Sequence, residues 1–423
     1  MITKLKSMHS VLFFSTSMFL LTLPTLNAQN NEYAKKEEII ESETKSSKEG
    51  LKISGYFQAQ MQIGQENASL KVGSGRLENE DMFLRFGIRR GRLKFAYTKG
   101  IAEGVFQIDL TEKGLGVKDA YLQLNDPGLS ESALRVGVFN RPFGHEIAYS
   151  SSTRESPERS QIFQTLFPEE RDLGLMLRLQ TKKGNAIDFL TLDLGLFAGN
   201  GIKVDLHNKK DFIGRISAKS RGDKMKFSGG FSYYNGKVYQ GTENIFTAKS
   251  TGYYLDSNPA NLGKYSKREY VGVDFQYELN TKLGRSYITS EFILGTQAAD
   301  IKGNKSPNSS ILPENDIYNR KFHGGYVSLV HDLKKIPLSA VIKYDWYTPN
   351  KIIDKRIIGL ADATGIADIS YQTIGWGLNW QINKDIRLTA YYDMIKNYKA
   401  EHLSGFEKDI KDNILTFRLQ YKF

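Results

Sequence analysis

The 423 residues contain no cysteine, which excludes a disulfide framework, a thiolate metal site and a lipid anchor attached behind a signal sequence. Proline is scarce, at 10 residues, and hydrophobic residues reach only 40%, below the roughly 45–50% of ordinary globular domains. Past residue 28 no segment approaches the roughly 18 apolar residues of a transmembrane helix. No HExxH, P-loop or GxSxG pattern is present. The histidines beyond the leader, His145, His207, His323, His331 and His402, are scattered along the chain, so no Ser/His or Asp/His catalytic group is expected. The reading is a protein that is not an enzyme and needs no cofactor or metal.

What the chain does have is aromatic residues, 23 Tyr and 24 Phe, with 38 Gly. Its N-terminus reads as an export signal. Lys4 and Lys6 precede the apolar run "VLFFSTSMFLLTLPTL", and "LNA" ending at Ala28 makes a cleavage site. Residues 1–28 are therefore expected to be a signal peptide and residues 29–50, charged and Ser-rich, a flexible polar lead. The formal net charge of +11 would suit nucleic acid in a cytoplasmic protein. Export and a lipid-facing surface argue against such a partner.

From Leu51 to the end, period-two segments recur. In "KISGYFQAQMQI", Ile53, Gly55, Phe57, Ala59 and Met61 oppose Ser54, Tyr56, Gln58, Gln60 and Gln62. In "DLGLMLRLQ", Leu173, Leu175, Leu177 and Leu179 oppose Gly174, Met176, Arg178 and Gln180. The last segment, "NILTFRLQYKF", places Leu415, Phe417, Leu419, Tyr421 and Phe423 on one face. Each stretch spans about 10 residues, the length of a tilted membrane strand. About sixteen strands follow, roughly 51–63, 84–98, 103–111, 116–125, 132–140, 171–181, 186–197, 211–220, 224–234, 267–280, 284–296, 319–332, 336–348, 369–382, 385–396 and 413–423.

Through the C-terminal two thirds, short polar joins alternate strictly with long ones. "KKGN", "RGD", "TKL", "LKK" and "NK" interleave with loops near 198–210, 235–266, 297–318, 349–368 and 397–412. The fold class is therefore all-β: an antiparallel transmembrane β-barrel over 51–423, with short periplasmic turns and long extracellular loops. Closure is required because an open edge in lipid leaves backbone groups unpaired. The location is the cell outer membrane. The terminal Phe behind alternating aromatics is similar to the signal read by barrel-assembly machinery, the expected partner during insertion.

Inside the barrel, the phase of "LRFGIRRGRLKFAYT" puts Arg90, Arg92 and Lys94 on one inward face. Arg135 and Arg178 also face inward, as do Arg387 and Arg418 on the closing strands. Basic rings select anions, and guanidinium forks match phosphate oxygens. Asp109, Asp119, Asp193, Asp274, Glu278 and Asp393 face inward too. Arg89 falls on the lipid phase and marks either the rim or a bulge. The loop Arg141–Glu170 is expected to fold inward as a constriction. Two readings of its charge stay open: Arg141, Arg154 and Arg159 narrow the channel, or Glu155, Glu158, Glu169 and Glu170 salt-bridge them.

"RRGRLKFAY", "VKDAYLQL", "LRVGVFNRPFG", "SPERS" and "RDLGLML", over about 90 to 177, resemble the phosphate-selective porin O and P family. The resemblance implies a 16-stranded, usually trimeric porin that passes phosphate or polyphosphate. In that family the constriction loop carries lysine, whereas Arg141–Glu170 carries arginine and glutamate. The expected function is passive diffusion of small hydrophilic solutes with anion preference. The alternative is a barrel serving as an adhesin or assembly partner, or a channel for one organic solute.

Overall fold

The computed structural model describes residues 49–423 apart from 79, 129, 130, 221, 223 and 224. The expected signal peptide, most of the polar lead and most of the "RGD" turn lie outside the described residues. The strands are β1 (Gly50–Gln65), β2 (Met82–Lys99), β3 (Ala102–Thr111), β4 (Gly114–Asn125), β5 (Ala133–Asn140), β6 (Arg171–Leu179), β7 (Leu190–Phe197), β8 (Asp211–Lys219) and β9 (Met225–Tyr239). A loop hairpin, β10 (Asn244–Lys249) and β11 (Gly252–Ser257), comes next. Then follow β12 (Tyr265–Asn280), β13 (Gly284–Ala299), β14 (Ile317–Leu333), β15 (Leu338–Thr348), β16 (Tyr371–Gln381), β17 (Ile386–Asn397) and β18 (Ile414–Lys422). Among the described residues no helix is long and apolar enough to cross a membrane.

Sixteen strands, all but the hairpin, form one closed antiparallel ring. Each pairs with its neighbours in sequence, β9 pairs with β12 across the hairpin, and β18 returns to β1. The closing register runs from Tyr56 opposite Lys422 to Gly64 opposite Ile414. Gly55 and Phe423 exchange both backbone hydrogen bonds at 3.0 Å. The Phe423 ring lies where a Cβ on Gly55 would sit, so glycine there makes room for the terminal aromatic.

The phase of every strand has one physical cause. Outward positions such as Leu175, Phe275, Trp376 and Tyr421 are exposed hydrophobics, which only lipid can cover at this density. Inward positions such as Gln58, Gln60, Arg90 and Thr416 are buried polar groups. Two irregularities interrupt the alternation. The β1–β2 register shifts between Gln58 and Ala59, so Arg89 is an extra residue in β2. The β3–β4 register shifts between Gln107 and Ile108, so Lys118 is extra in β4.

Two expectations needed correction. The strand expected from residue 186 begins at Leu190, because residues 185–190 turn through Asp188 N–H to Asn185 O and Leu190 N–H to Ile187 O. The loop expected over 235–266 holds the end of β9 and the β10–β11 hairpin. That hairpin adds to the start of β14 in parallel, Phe246 opposite Tyr318, with their rings stacked 4.4 Å apart. Short strands around Ser-Thr-Gly carry too little periodicity to show in the sequence.

Leu175→Arg places a cation at the middle of a lipid-facing strand. It is expected to lower stability in lipid by about 2–4 kcal/mol, read as a shift in the denaturant midpoint of the refolded barrel. An unchanged midpoint would mean Leu175 does not face lipid.

Candidate functional site: the lumen and its inserted loop

Residues 141–170 fold into the barrel. A six-residue helix, α1 (Gln161–Leu166), buries Ile162, Phe163 and Leu166. With Phe143 and Phe167 they pack on an aromatic wall of Tyr234, Tyr270, Phe322, Tyr326 and Tyr347 from β9, β12, β14 and β15. Phe167 meets Tyr270 edge-on at 5.7 Å, and Tyr234 stacks on Tyr270 at 4.9 Å. Each buried ring contributes about 1.5–3 kcal/mol of gross apolar burial. This half of the loop is a core inside a pore.

The polar half reaches the opposite wall. Tyr56 Oη and Ser151 Oγ are 2.6 Å apart. The Gln58 and Gln420 amides donate to Ser151 O and Ser152 O at 3.0 Å. Arg387 donates to Thr153 O at 3.1 Å and to Arg154 O at 3.2 Å. At the near end, Gly144 N–H donates to Ser232 Oγ at 3.0 Å. His145 and Glu146 N–H groups both donate to Glu291 Oε2, at 3.1 and 3.0 Å. Gly144 adopts φ 66° and sits so close to the Glu291 carboxylate that a Cβ would overlap it. The glycine of "RPFG" is thus what lets the backbone approach.

The loop's carboxylates are its electrical anchors. Glu146 meets Lys343 Nζ at 2.6 Å. Glu158 is held by Arg89, Arg90 and Arg418. Glu170 bridges Arg159 and Arg171. Glu169 and Glu170 both carry positive φ, 61° and 66°, backbone strain accepted at the turn that swings Glu170 onto its two arginines. Burial alone would raise these carboxyls. Lys343 nevertheless holds Glu146 below its ordinary range, Arg89 and Arg90 hold Glu158 well below, and Arg159 and Arg171 do the same for Glu170.

The eight cations singled out from sequence divide into three groups. Arg92, Lys94 and Arg159 line a cavity of about 170 Å³ beside the loop, with Tyr56, Gln107 and Asp119 on the wall. A cavity of this volume has room for several waters and so for a small hydrated ion. Arg92 is partnered by Asp109 at 3.3 Å and Ser151 at 3.1 Å. The Lys94 ammonium has no ion pair or hydrogen bond among the described residues. Arg141 and Arg154 turn away from the cavity into the loop itself. Arg141 donates to Glu170 O and Pro168 O and lies 5.0 Å from the Phe167 ring centroid. Arg154 donates to Ser156 O and Pro157 O. Arg90, Arg135 and Arg178 sit on the wall, Arg90 on Gln58 and Glu158, Arg135 on Gln123 over the Tyr121 ring. Arg178 makes a two-pronged pair with Asp193 at 2.7 and 2.9 Å.

Sequence phase did not single out every inward cation, Lys343 on Glu146 being one, and it left Arg89 between the rim and a bulge. Arg171 lines the cavity and pairs with Asp119 at 3.0 Å. Arg89 turns inward at the β2 bulge. Lys118, at the β4 bulge, comes within electrostatic range of Glu170, Arg92 and Arg171. The available signal was a basic residue off phase in an otherwise alternating strand.

No protein-family model matches the sequence, and no curated protein does. Solved structures do match in fold. OprB of Pseudomonas putida aligns at a TM-score of 0.57 and 10% identity, over 92% of this chain and 96% of that one. The outer membrane channel DcaP of Acinetobacter baumannii aligns at 0.53 and 14%, over 88% and 97%. OmpT, an outer membrane protein of Vibrio cholerae in trimer form, aligns at 0.50 and 10%, over 88% and 99%. What these matches show is the fold: the sixteen-stranded antiparallel barrel of this chain is similar to those of outer-membrane proteins and channels.

Gly144→Ala is expected to push the loop off Glu291 and raise single-channel conductance. Unchanged conductance would show the loop is seated elsewhere. Acidity tests the same anchors. Carboxyls lowered below their ordinary 4.5 stabilise the seated loop above that pH and lose the effect as pH falls through the lowered values. Proteolytic protection of residues 141–170 should not fall between neutral pH and about 4.5 and should fall only below it. Loss of protection between pH 7 and 5 would contradict the ion-pair assignment.

Proposed function

We propose that the chain is an outer-membrane channel for passive diffusion of small hydrophilic solutes, with a preference for anions that include phosphate and polyphosphate. The observation that carries this reading is the cavity beside the inserted loop. Arg92, Lys94, Arg159 and Arg171 line it; the three arginines are paired with Asp109, Asp119 and Glu170, which leaves the Lys94 ammonium uncommitted. A cation with no partner in a narrow polar passage lowers the entry cost of an anion and raises that of a cation.

Two further points support the reading. The fold is that of channels such as DcaP, and the motifs between about 90 and 177 resemble the phosphate-selective porins. Assembly as a homotrimer fits that resemblance and the trimer form of the Vibrio cholerae match. Delivery by a cleaved signal peptide and insertion by barrel-assembly machinery complete the proposed route.

Reversal potentials in asymmetric potassium chloride test it. The wild-type barrel is expected to favour chloride. Lys94→Glu, which disturbs no anchor of the loop, is expected to lower the chloride-to-potassium permeability ratio at least about fivefold, because one unit charge acting across a few ångströms of water is worth about that factor and the variant reverses the charge. A potassium-selective wild type would remove the anion reading, and an unchanged ratio in the variant would remove Lys94 from it.

A further inference from the structure

The bulge in β2 and the closing strand β18 bring guanidinium groups onto one loop carboxylate. Arg89 donates from Nε and Nη2 to the two oxygens of Glu158, at 2.7 and 2.8 Å. Arg90 Nη2 donates to Oε2 at 3.1 Å, and Arg418 Nη2 to Oε1 at 3.1 Å. Arg154 belongs to the same cluster, because its Nη2 and the Arg418 Nη1 share the Pro157 carbonyl at 3.1 and 3.0 Å. Gln60 completes the wall, its Oε1 accepting from Arg418 Nε and Nη2 at 2.8 and 2.6 Å.

Three features mark this as a ligand site and not an ordinary ion pair. A two-pronged fork with two single donors is how guanidinium groups grip an oxyanion, and the Glu158 carboxylate stands where that anion would be. Four cations surround one anion, although Arg90, Arg154 and Arg418 are 4% exposed or less. Buried charge in excess costs several kcal/mol per ion unless it is matched. Finally, Arg154 Nη1 and Gln60 Nε2 are buried donors with no partner, so the cluster holds more hydrogen-bond capacity than Glu158 uses. Burial, with Arg159 and Arg90 close by, pushes the Arg154 guanidinium down to about 9, as expected of a cation short of counter-charge.

We propose that Arg89, Arg90, Arg154 and Arg418 form an oxyanion-binding site that Glu158 occupies as a tethered ligand, and that a free oxyanion of the phosphate class competes with Glu158 for it. The proposal deepens the anion-channel reading and rests on it for the ion's route to the site. Glu158 then sets how strongly the channel holds oxyanions: while it is seated, it fills the guanidinium fork and matches part of the cluster's charge, and ions pass; when it is removed, the cluster becomes a trap.

The test uses the full barrel in planar bilayers, with inorganic phosphate added to a potassium chloride bath. Glu158→Gln is expected to raise the chloride-to-potassium permeability ratio and to lower the phosphate concentration that half-blocks the chloride current about tenfold, the loss of one charge-assisted competitor. Arg89→Gln in that background is expected to restore the weaker block. A change in conductance alone, with selectivity and phosphate block as in wild type, would make Glu158 a structural anchor only and overturn the proposal. Should Glu158→Gln not assemble, Glu158→Asp keeps the charge but draws it back from the fork. It should shift the block in the same direction by less, and no shift there also overturns the site. A cation-selective wild type contradicts the anion preference alone, because the site is judged on the difference between variant and wild type.

Discussion

A backbone N–H or C=O left unpaired in hydrocarbon costs several kcal/mol, and that penalty organises this molecule. It forces β18 back onto β1, so that Ala59 faces Leu419 and Gln60 faces Arg418 across about 360 residues of chain. Closure fixes the phase of every strand at once. Leucine and aromatic residues must then turn outward, and the glutamines, arginines and aspartates have nowhere to go but the lumen.

A lumen lined this way is crowded with cations, and the inserted loop answers that crowding. Its carboxylates Glu146, Glu158 and Glu170 each meet a wall or loop cation, while its apolar residues sit on an aromatic wall of β9, β12, β14 and β15. The two halves of the loop are held by different forces. Apolar burial is insensitive to ionic strength, whereas the ion pairs depend on the charge state of a few glutamates. Space is left over where neither force reaches, beside Lys94 and Arg92. On the proposed reading, this leftover cavity is where solute would move.

Much of the fold was legible from alternation alone, because a period-two pattern with one face in lipid leaves register little freedom. All sixteen barrel strands are present, most within a few residues of their expected bounds. Arg90, Arg92 and Lys94 face inward as their phase required. What local pattern could not supply was long-range pairing. Arg89 reads as lipid-facing until the bulge at Gln58/Ala59 turns it onto Glu158, a partner 69 residues away. Of the loop's arginines, Arg159 lines the cavity and pairs with Glu170. Arg141 and Arg154 donate to carbonyls of their own loop, with Arg154 Nη1 left without a partner. The identity of a side chain does not reveal whether its charge is free, since that depends on which neighbour the fold delivers.

Amide hydrogen exchange on the lipid-inserted barrel tests closure most directly. If the ring is complete, the amides of β1 and β18 exchange as slowly as those of β12 and β13, which have a neighbour on each side. Rapid exchange along alternate amides of Tyr56–Gly64, the pattern of an unpaired edge, would contradict the closed barrel and the enclosed lumen with it.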